Sequence, residues 1–203
     1  GVVLGSASTI LGTLSLTSGT FTTGNYNFTV GNISGAAGIS IGSGTVDVNG
    51  TYNVTGSTTF TGAGNLLLGG TVTSLGTLTA ASGTVSFSGS AAQSFSGTNT
   101  FYNLTIANTH ASEKVTATGT LAVTNNLLIN DGIFVSASDY TNVSIASGAT
   151  LELSNDITVS GNWTNNGTLT HNDKAVTFDG SGTSEISGST SFYDFTCTTA
   201  GKT

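Results

Sequence analysis

The chain has 203 residues and a net charge of −7, with 3 Lys and Arg together against 10 Asp and Glu. Nucleic-acid binding depends on Lys and Arg that neutralise phosphates, so this composition argues against a nucleic-acid partner. Pro, Met and Arg are absent, helix-forming residues are scarce, and Ser and Thr make up about a third of the chain. Such a composition favours pleated strands over helices and predicts an all-β protein.

The charged residues are unevenly distributed. Asp47 is the only charged side chain before Glu113. A neutral first half favours close association with a neutral partner, including another copy of the chain, whereas an acidic second half favours solubility. The alternative is that low charge simply accompanies a repeat rich in Thr and Asn. No apolar run is long enough for a membrane-spanning helix, so no transmembrane segment is predicted.

Short apolar strands recur along the whole chain. In chain order they include Val2-Val3-Leu4, Phe28-Thr29-Val30, Val85-Ser86-Phe87 and Leu121-Ala122-Val123. Turns of Gly, Asn, Asp and Ser separate them, the residues that tolerate positive φ or bond their own backbone. Strands this short cannot form independent hairpins, but they can stack as successive turns of a solenoid. We predict a parallel β-helix, or β-solenoid, with rungs of about 20–25 residues, and a rod on the order of 40 Å long.

The sequence matches itself at an offset of about 91 residues. Residues 50–108 match residues 141–199 without a gap, and residues 14–21 match residues 127–134 in a second frame. We predict that residues 1–203 form one continuous solenoid, with nearly two copies of one unit and about four rungs in each. Tandem immunoglobulin-like β-sandwiches are the alternative, since one such domain has a similar length. The absence of Pro, the brevity of the apolar triplets and the lack of a linker argue against them.

Several segments carry a resemblance to a known class of protein. Residues 161–168 (Gly-Asn-Trp-Thr-Asn-Asn-Gly-Thr), 175–182 (Ala-Val-Thr-Phe-Asp-Gly-Ser-Gly) and 192–195 (Phe-Tyr-Asp-Phe) resemble the repeats of very large bacterial surface and filamentous adhesin proteins. The resemblance is one of repeat style and covers most of the chain. It implies export to the cell surface or beyond, a β-helical rod, and a role in adhesion or matrix building. It implies no catalytic residues.

The acidic residues of the second half are the candidates for catalysis, because β-helix polysaccharide lyases and hydrolases place acids on one outer face. Asp173, Lys174 and Asp179 form the densest group, followed by Glu152 and Asp156. Their counterparts in the first copy are neutral, so we interpret them as solvated turn charges and predict that the chain is not an enzyme. The alternative, a carbohydrate-active β-helix enzyme, requires Asp173, Asp179 and Glu185 to meet in one groove.

The other chemically distinctive residues have structural interpretations. Cys197, the only cysteine, falls where the first copy has Ile106, which predicts a small core residue. Trp163 falls where the first copy has Val72 and is predicted to fill the core or a corner. His110 and His171 do not occupy equivalent positions, so we predict exposed turns rather than a zinc or catalytic site.

No cofactor or metal is predicted. Asn130-Asp131 and Asn155-Asp156 offer oxygen atoms, but no calcium-binding motif surrounds them. Gly201-Lys202-Thr203 is not a phosphate loop, because Thr196 stands where that motif needs Gly. Thr-x-Thr triplets such as 71–73, 77–79 and 168–170 are similar to those of ice-binding solenoids, but their irregular spacing along the sequence does not predict an array.

The ends of the sequence set the expectation about partners. A solenoid exposes strand edges at both ends, and no capping segment is recognisable at either end of this chain. The chain also begins at Gly1 without Met, so we expect a processed chain or an excerpt. We therefore predict an extracellular structural fibre or adhesin segment that continues axially, within a longer polypeptide or by head-to-tail packing. Cell-surface glycans are further candidate partners, and an ice- or glycan-binding solenoid is the remaining alternative.

Overall fold

A computed structural model of the protein describes residues 1–198. Residues 199–203 lie outside the described residues, together with the Gly201-Lys202-Thr203 triplet and the last residue of the second matched segment. Residues 1–198 contain no helix, and therefore none that is long and apolar enough to cross a membrane.

The structure of these residues is built from 25 strands, all of whose pairings are parallel. In chain order they are β1 (Val2–Val3), β2 (Ser8–Leu16), β3 (Thr20–Gly24), β4 (Phe28–Gly35), β5 (Gly38–Ile41), β6 (Thr45–Val48), β7 (Tyr52–Val54), β8 (Ser57–Phe60), β9 (Asn65–Leu68), β10 (Val72–Ser74), β11 (Thr77–Thr79), β12 (Thr84–Phe87), β13 (Gln93–Ser96), β14 (Asn99–Ala107), β15 (Lys114–Thr118), β16 (Leu121–Asp131), β17 (Ile133–Ser136), β18 (Asp139–Ile145), β19 (Thr150–Leu153), β20 (Ile157–Val159), β21 (Trp163–Asn165), β22 (Thr168–Thr170), β23 (Ala175–Phe178), β24 (Ile186–Gly188) and β25 (Asp194–Cys197).

These strands wind into a β-solenoid of about 10 turns, which confirms the predicted fold class. Each turn adds one strand spacing of about 4.8 Å, so the rod is about 48 Å long. Single turns lie within or somewhat below the predicted rung of 20–25 residues. Leu104 pairs with Leu127, 23 residues on, but Leu127 pairs with Val143, only 16 residues on. Tight corners made of few residues shorten the turn, because long strands such as β16 bend around a corner instead of ending there.

Each complete turn has three straight segments, which define three faces. Face 1 contains β6, β9 and β12, face 2 contains β7 and β10, and face 3 is the sheet β1-β3-β5-β8-β11. Beyond β11, face 2 continues through β13, which contacts β10, into the sheet β13-β15-β17-β19-β22. Face 3 continues through the first part of β14, which contacts β11. The fold is therefore one uninterrupted three-sided rod from Val2 to Cys197.

Strands recur at a spacing of 91 residues, but on different faces. β10, β11 and β12 begin at Val72, Thr77 and Thr84, and β21, β22 and β23 begin 91 residues later. Four turns lead along face 3 from β11 through β14, β16 and β18 to β20, and β22 lies two faces further on, so this spacing is not a whole number of turns. β11 accordingly lies on face 3 and β22 on face 2. The division of the chain into two copies of one unit stays a prediction from the sequence.

A single apolar column fills the interior along the whole rod. Alternate residues of each strand point inward, so Val46 and Val48 of β6 are fully buried while Asp47 between them is not. The middle of the column is aromatic: the Phe95 ring lies 4.7 Å from Phe87 and 5.6 Å from Phe101, measured between centroids. Burial of one Val, Leu, Ile or Phe side chain contributes about 1.5–3 kcal/mol to the free energy of folding. The many short strands therefore stabilise the rod together, although most contribute only one or two such side chains.

Polar atoms inside the rod have hydrogen-bond partners. At the corner that follows face 1, Gln93 Nε2 donates to Leu68 O at 2.7 Å and to Gly70 O at 2.8 Å. Gln93 Oε1 accepts from Gly89 N at 3.1 Å and from Asn108 Nδ2 at 3.2 Å. No buried side-chain nitrogen or oxygen among residues 1–198 lacks a partner, as unpaired buried polar groups are costly.

Two tyrosine hydroxyls are buried inside the rod and donate hydrogen bonds there. Tyr52 OH lies 2.6 Å from Thr58 Oγ1, which itself donates to Leu75 O, so the phenol is the donor of the pair. Tyr140 OH donates to Ser136 Oγ at 2.7 Å. Burial raises the pKa of both phenols, and their hydrogen bonds to Thr58 and Ser136 only partly oppose it.

We expect the free energy of unfolding to fall with rising pH above the ordinary tyrosine pKa of about 10. Below that value both phenols are neutral in the folded and unfolded chains, and above it only the unfolded chain releases the protons. Each tyrosine then lowers stability by about 1.4 kcal/mol per pH unit. Urea unfolding at several pH values between 8 and about 11 should show this slope in the native chain and lose it in the Tyr52→Phe/Tyr140→Phe variant. Parallel losses in both proteins would contradict the assignment.

Candidate functional site

Within residues 1–198, the first and last turns of the rod have unpaired strand edges. At the first turn β1 pairs only with β3, and β2 pairs only with β4. At the last described turn β24 pairs only with β21, and β25 pairs only with β23. Because all the strands are parallel, each free edge presents both unpaired N–H and unpaired C=O groups, with which a further parallel strand can pair.

The first turn also exposes apolar side chains and an open cavity. Val2 is 63 % exposed and Leu11 is 92 % exposed, although both belong to strands. A cavity of about 450 Å³ opens beside Val2 and is lined by Gly1, Val2, Leu14, Ser15, Leu16, Thr17, Ser18, Thr20 and Phe21. The interior column thus ends at an accessible apolar surface, because no described residue lies above the first turn.

The last described turn is apolar as well and is held in place by a buried indole. Ile186, Tyr193 and Phe195 are exposed large apolar residues, and the Phe195 ring lies 5.3 Å from that of Phe178 beneath it. Trp163 is fully buried, which confirms its predicted core position, and its Nε1 donates to Thr190 Oγ1 at 2.9 Å. This hydrogen bond fixes the segment that leads from β24 to β25.

The structure corrects the prediction that Cys197 is a core residue. It pairs with buried Phe178 and so lies on the inward side of its strand, as the alternation predicts. It is nevertheless exposed, because no described turn covers β25. Inward position and burial therefore differ at this end of the rod.

The acidic residues proposed for catalysis are held apart. Asp173 and Asp179 flank opposite ends of β23, whose four residues span about 13 Å. Glu185 precedes β24 and is anchored through its backbone N–H, which donates to Asn162 Oδ1 at 2.9 Å. The convergence that the carbohydrate-active alternative requires is absent for Asp173 and Asp179. Residues 1–198 contain no group of three or more His, Cys, Asp or Glu that could hold a metal ion.

The other predicted surface acids make local contacts. Glu152 Oε2 accepts from Lys114 Nζ at 2.8 Å across the outside of face 2, a partly exposed pair of the kind that contributes less than about 1 kcal/mol. Asp156 Oδ1 accepts from Ala175 N at 2.9 Å, and Asp131 Oδ1 accepts from Gly132 N at 2.8 Å. Lys174 is half-buried in the turn before β23.

One groove that sequence reasoning missed contains two carboxylates. Its volume is about 360 Å³, and it is lined by Ala122, Val123, Thr124, Asp139, Tyr140, Thr141, Thr158, Ser160 and Asp179. Asp139 Oδ1 accepts from Thr158 Oγ1 at 2.8 Å. No lining residue carries a positive charge. The groove arises where face 3 turns into face 1 on consecutive turns, a juxtaposition that has no local signal in the sequence.

The two histidines lie in turns, as predicted, but are half-buried rather than exposed. His110 Nδ1 accepts from Glu113 N at 3.0 Å, and His171 Nδ1 accepts from Asp173 N at 3.1 Å. The His171 ring also stacks on Tyr193, with centroids 5.6 Å apart. Both imidazoles therefore cap turns of the backbone.

We expect Thr190→Val to loosen the last described turn. The substitution leaves the buried Trp163 indole N–H without its acceptor, a loss of about 1–3 kcal/mol. Hydrogen exchange of the amides between residues 186 and 193 should quicken, while exchange in β12 stays unchanged. Thr196→Val, on exposed β25, is the matched control. Equal effects of the two substitutions would contradict an anchoring role for Trp163.

Comparisons with protein-family models, with curated proteins and with solved structures find no match to this chain. Within residues 1–198, the surfaces that depart most from those of an ordinary globular protein are the first and last turns.

Proposed function

We propose that this chain is a non-catalytic structural rod that lengthens by stacking end to end, as a segment of an extracellular fibre or adhesin. The observation that carries the proposal is the match between its ends: both have unpaired parallel strand edges, and both expose apolar residues of the interior column.

Backbone pairing supports a head-to-tail geometry. Within the rod, Val2 pairs with Phe21, and Phe178 pairs with Cys197, in parallel register on face 3. The free edge of β25 in one copy therefore suits the free edge of β1 in the next, with the strand spacing already used inside the rod. Such a contact joins two different surfaces and does not close on itself, so it generates a filament.

Burial of apolar surface supplies the driving force. Phe195 and Ile186 at one end face solvent, as do Val2 and the 450 Å³ cavity at the other. Stacking would bring these surfaces together and remove them from water, which is favourable in proportion to the apolar area buried. The nearly uncharged first half adds no electrostatic barrier to the approach of a second copy.

The cellular setting is part of the same proposal and rests on the repeat style. A long, weakly charged rod rich in Thr and Asn suits a cell-surface or matrix component, with other copies of itself as the main partner. Cell-surface glycans and matrix polymers are the further partners that this setting implies, in adhesion or in a biofilm matrix.

Two blocked variants test head-to-tail stacking. Val2→Asp places a carboxylate at the first turn and Phe195→Asp places one at the last, so each variant retains one open end. We expect the native chain to form filaments by electron microscopy, each variant alone to remain a monomer, and an equimolar mixture to form one dimer by sedimentation velocity.

Ser144→Asp is the matched control, because it adds the same charge on the lateral surface of β18 and should leave the filaments unchanged. Dimerisation of either blocked variant alone would indicate end-to-end pairing of like ends and would overturn the head-to-tail geometry. A native chain that stays monomeric at all concentrations would overturn the proposal of axial association.

A further inference from the structure

The outer side of the sheet β1-β3-β5-β8-β11 carries two columns of small residues that run along the rod axis. We call this surface the hydroxyl face. The strand registers place one residue of each column on each of four consecutive turns. One column is Thr22, Ser40, Thr59 and Thr79, and the other is Thr20, Gly38, Ser57 and Thr77.

The hydroxyl groups of these columns are directed to solvent. Within residues 1–198, none of these seven hydroxyls makes a side-chain hydrogen bond to another protein group, whereas other outward threonines do. Thr55 Oγ1, for example, donates to Gly35 O at 3.3 Å, and Thr61 Oγ1 donates to Ile41 O at 3.3 Å. The hydrogen bonds of the seven column hydroxyls therefore go to water.

The backbone beneath the columns is held by inward packing and by hydrogen bonds between turns. Residues between the columns point inward, and Phe21, Ile39 and Thr58 are all buried. Adjacent turns are bonded along the face, as where Thr77 N donates to Gly56 O at 2.8 Å and Thr61 N donates to Ile41 O at 2.8 Å. The side chains therefore lie on a grid of about 4.8 Å along the axis and about 6.6 Å along each strand.

The face is also uncharged. Asp47, the only charged side chain before Glu113, lies on β6 of face 1 and not on this sheet. A charged group would organise its own hydration shell, whereas Thr offers a hydroxyl that bonds water and a methyl group that keeps water at a fixed distance. A grid of such groups imposes its own spacing on the first layer of water.

From this geometry we infer that the hydroxyl face binds ice. Both grid distances are close to the separations of water molecules on exposed planes of hexagonal ice, and a rigid grid loses little entropy when it adsorbs to a crystal. Soluble glycans fit the face less well, because sugar rings stack on aromatic side chains and neither column contains one. The inference concerns one lateral surface and does not rest on end-to-end stacking.

The array has a defined limit. Where face 3 continues past β11, its outward residues are Thr100, Ala122 and Asp139, which register across β14, β16 and β18. A methyl side chain and then a carboxylate follow Thr100, and outward threonines return only as the single column Thr158, Thr177 and Thr196. The two-column grid is therefore confined to β3, β5, β8 and β11.

Incorporation into slowly growing ice tests the inference on the full chain. We expect the native protein to enter the ice in proportion to its concentration, whereas a protein that does not bind ice stays in the liquid. Thr59→Tyr, in the middle of one column, should lower the incorporated fraction several-fold by breaking the flat surface, and Thr22→Tyr should act likewise.

Thr150→Tyr is the matched control, since Thr150 lies 91 residues after Thr59 and is also an outward, half-buried residue, but on face 2. It should leave incorporation unchanged, and circular dichroism should show the same melting temperature for all the variants. Exclusion of the native protein from ice would overturn the inference. Equal losses in Thr59→Tyr and Thr150→Tyr at unchanged melting temperature would overturn the assignment to this face.

Discussion

The backbone hydrogen bonds between successive turns are the interaction on which the rest of the structure depends. Ile33 N donates to Thr51 O at 2.9 Å, and Tyr52 N donates to Thr71 O at 2.8 Å, so each turn is bonded to the next at the same corner. In a parallel ladder, residues in register lie above one another and point the same way. An inward residue therefore always lies over an inward one. The apolar column, the free edges and the outer columns of hydroxyls all follow from this rule.

Asparagine side chains extend the same principle at the corner before face 1. Asn126 Nδ2 approaches Asn103 Oδ1 at 3.5 Å, Asn142 Nδ2 donates to Asn126 Oδ1 at 3.3 Å, and Asn162 N donates to Asn142 Oδ1 at 2.9 Å. The amides thus form a second axial ladder beside the backbone. An amide suits this position because it both donates and accepts, so each member can bond the turns above and below. The richness in Asn has a structural cause at these positions.

The rhythm of strands and turns was sufficient to predict the solenoid, because alternation and turn residues are local properties of the sequence. The length of a turn was not predictable to a few residues, since β14 and β16 bend through register shifts that no turn residue marks. The prediction that Cys197 is buried was wrong, because burial at this position requires a further turn to cover β25 and does not follow from the alternation of the strand alone. The groove at Asp139 and Asp179 was not predictable, because it joins residues from separate turns.

The hydroxyl face shows a further limit of pattern reasoning. Its members are spaced 18–20 residues apart, and Ser40, Ser57 and Gly38 stand where a strict Thr-x-Thr pattern needs Thr. A Cβ at Gly38 would meet the Ser57 hydroxyl on the next turn, so a larger residue there would require Ser57 to change its rotamer. Only the register of the strands brings these dissimilar triplets into line.

The 91-residue spacing of equivalent strands has a consequence for how a surface is displayed. Residues 91 positions apart keep the same inward or outward direction, but the second lies on the neighbouring one of the three faces. For example, β11 lies on face 3 and β22 on face 2. Thr59 and Thr150 accordingly point away from the axis in different directions. In a polymer with this spacing, any patch encoded once per copy would rotate around the shaft and return to its first orientation at the fourth copy. Such a shaft would offer the same chemistry to all sides, so that it could adhere without a preferred side.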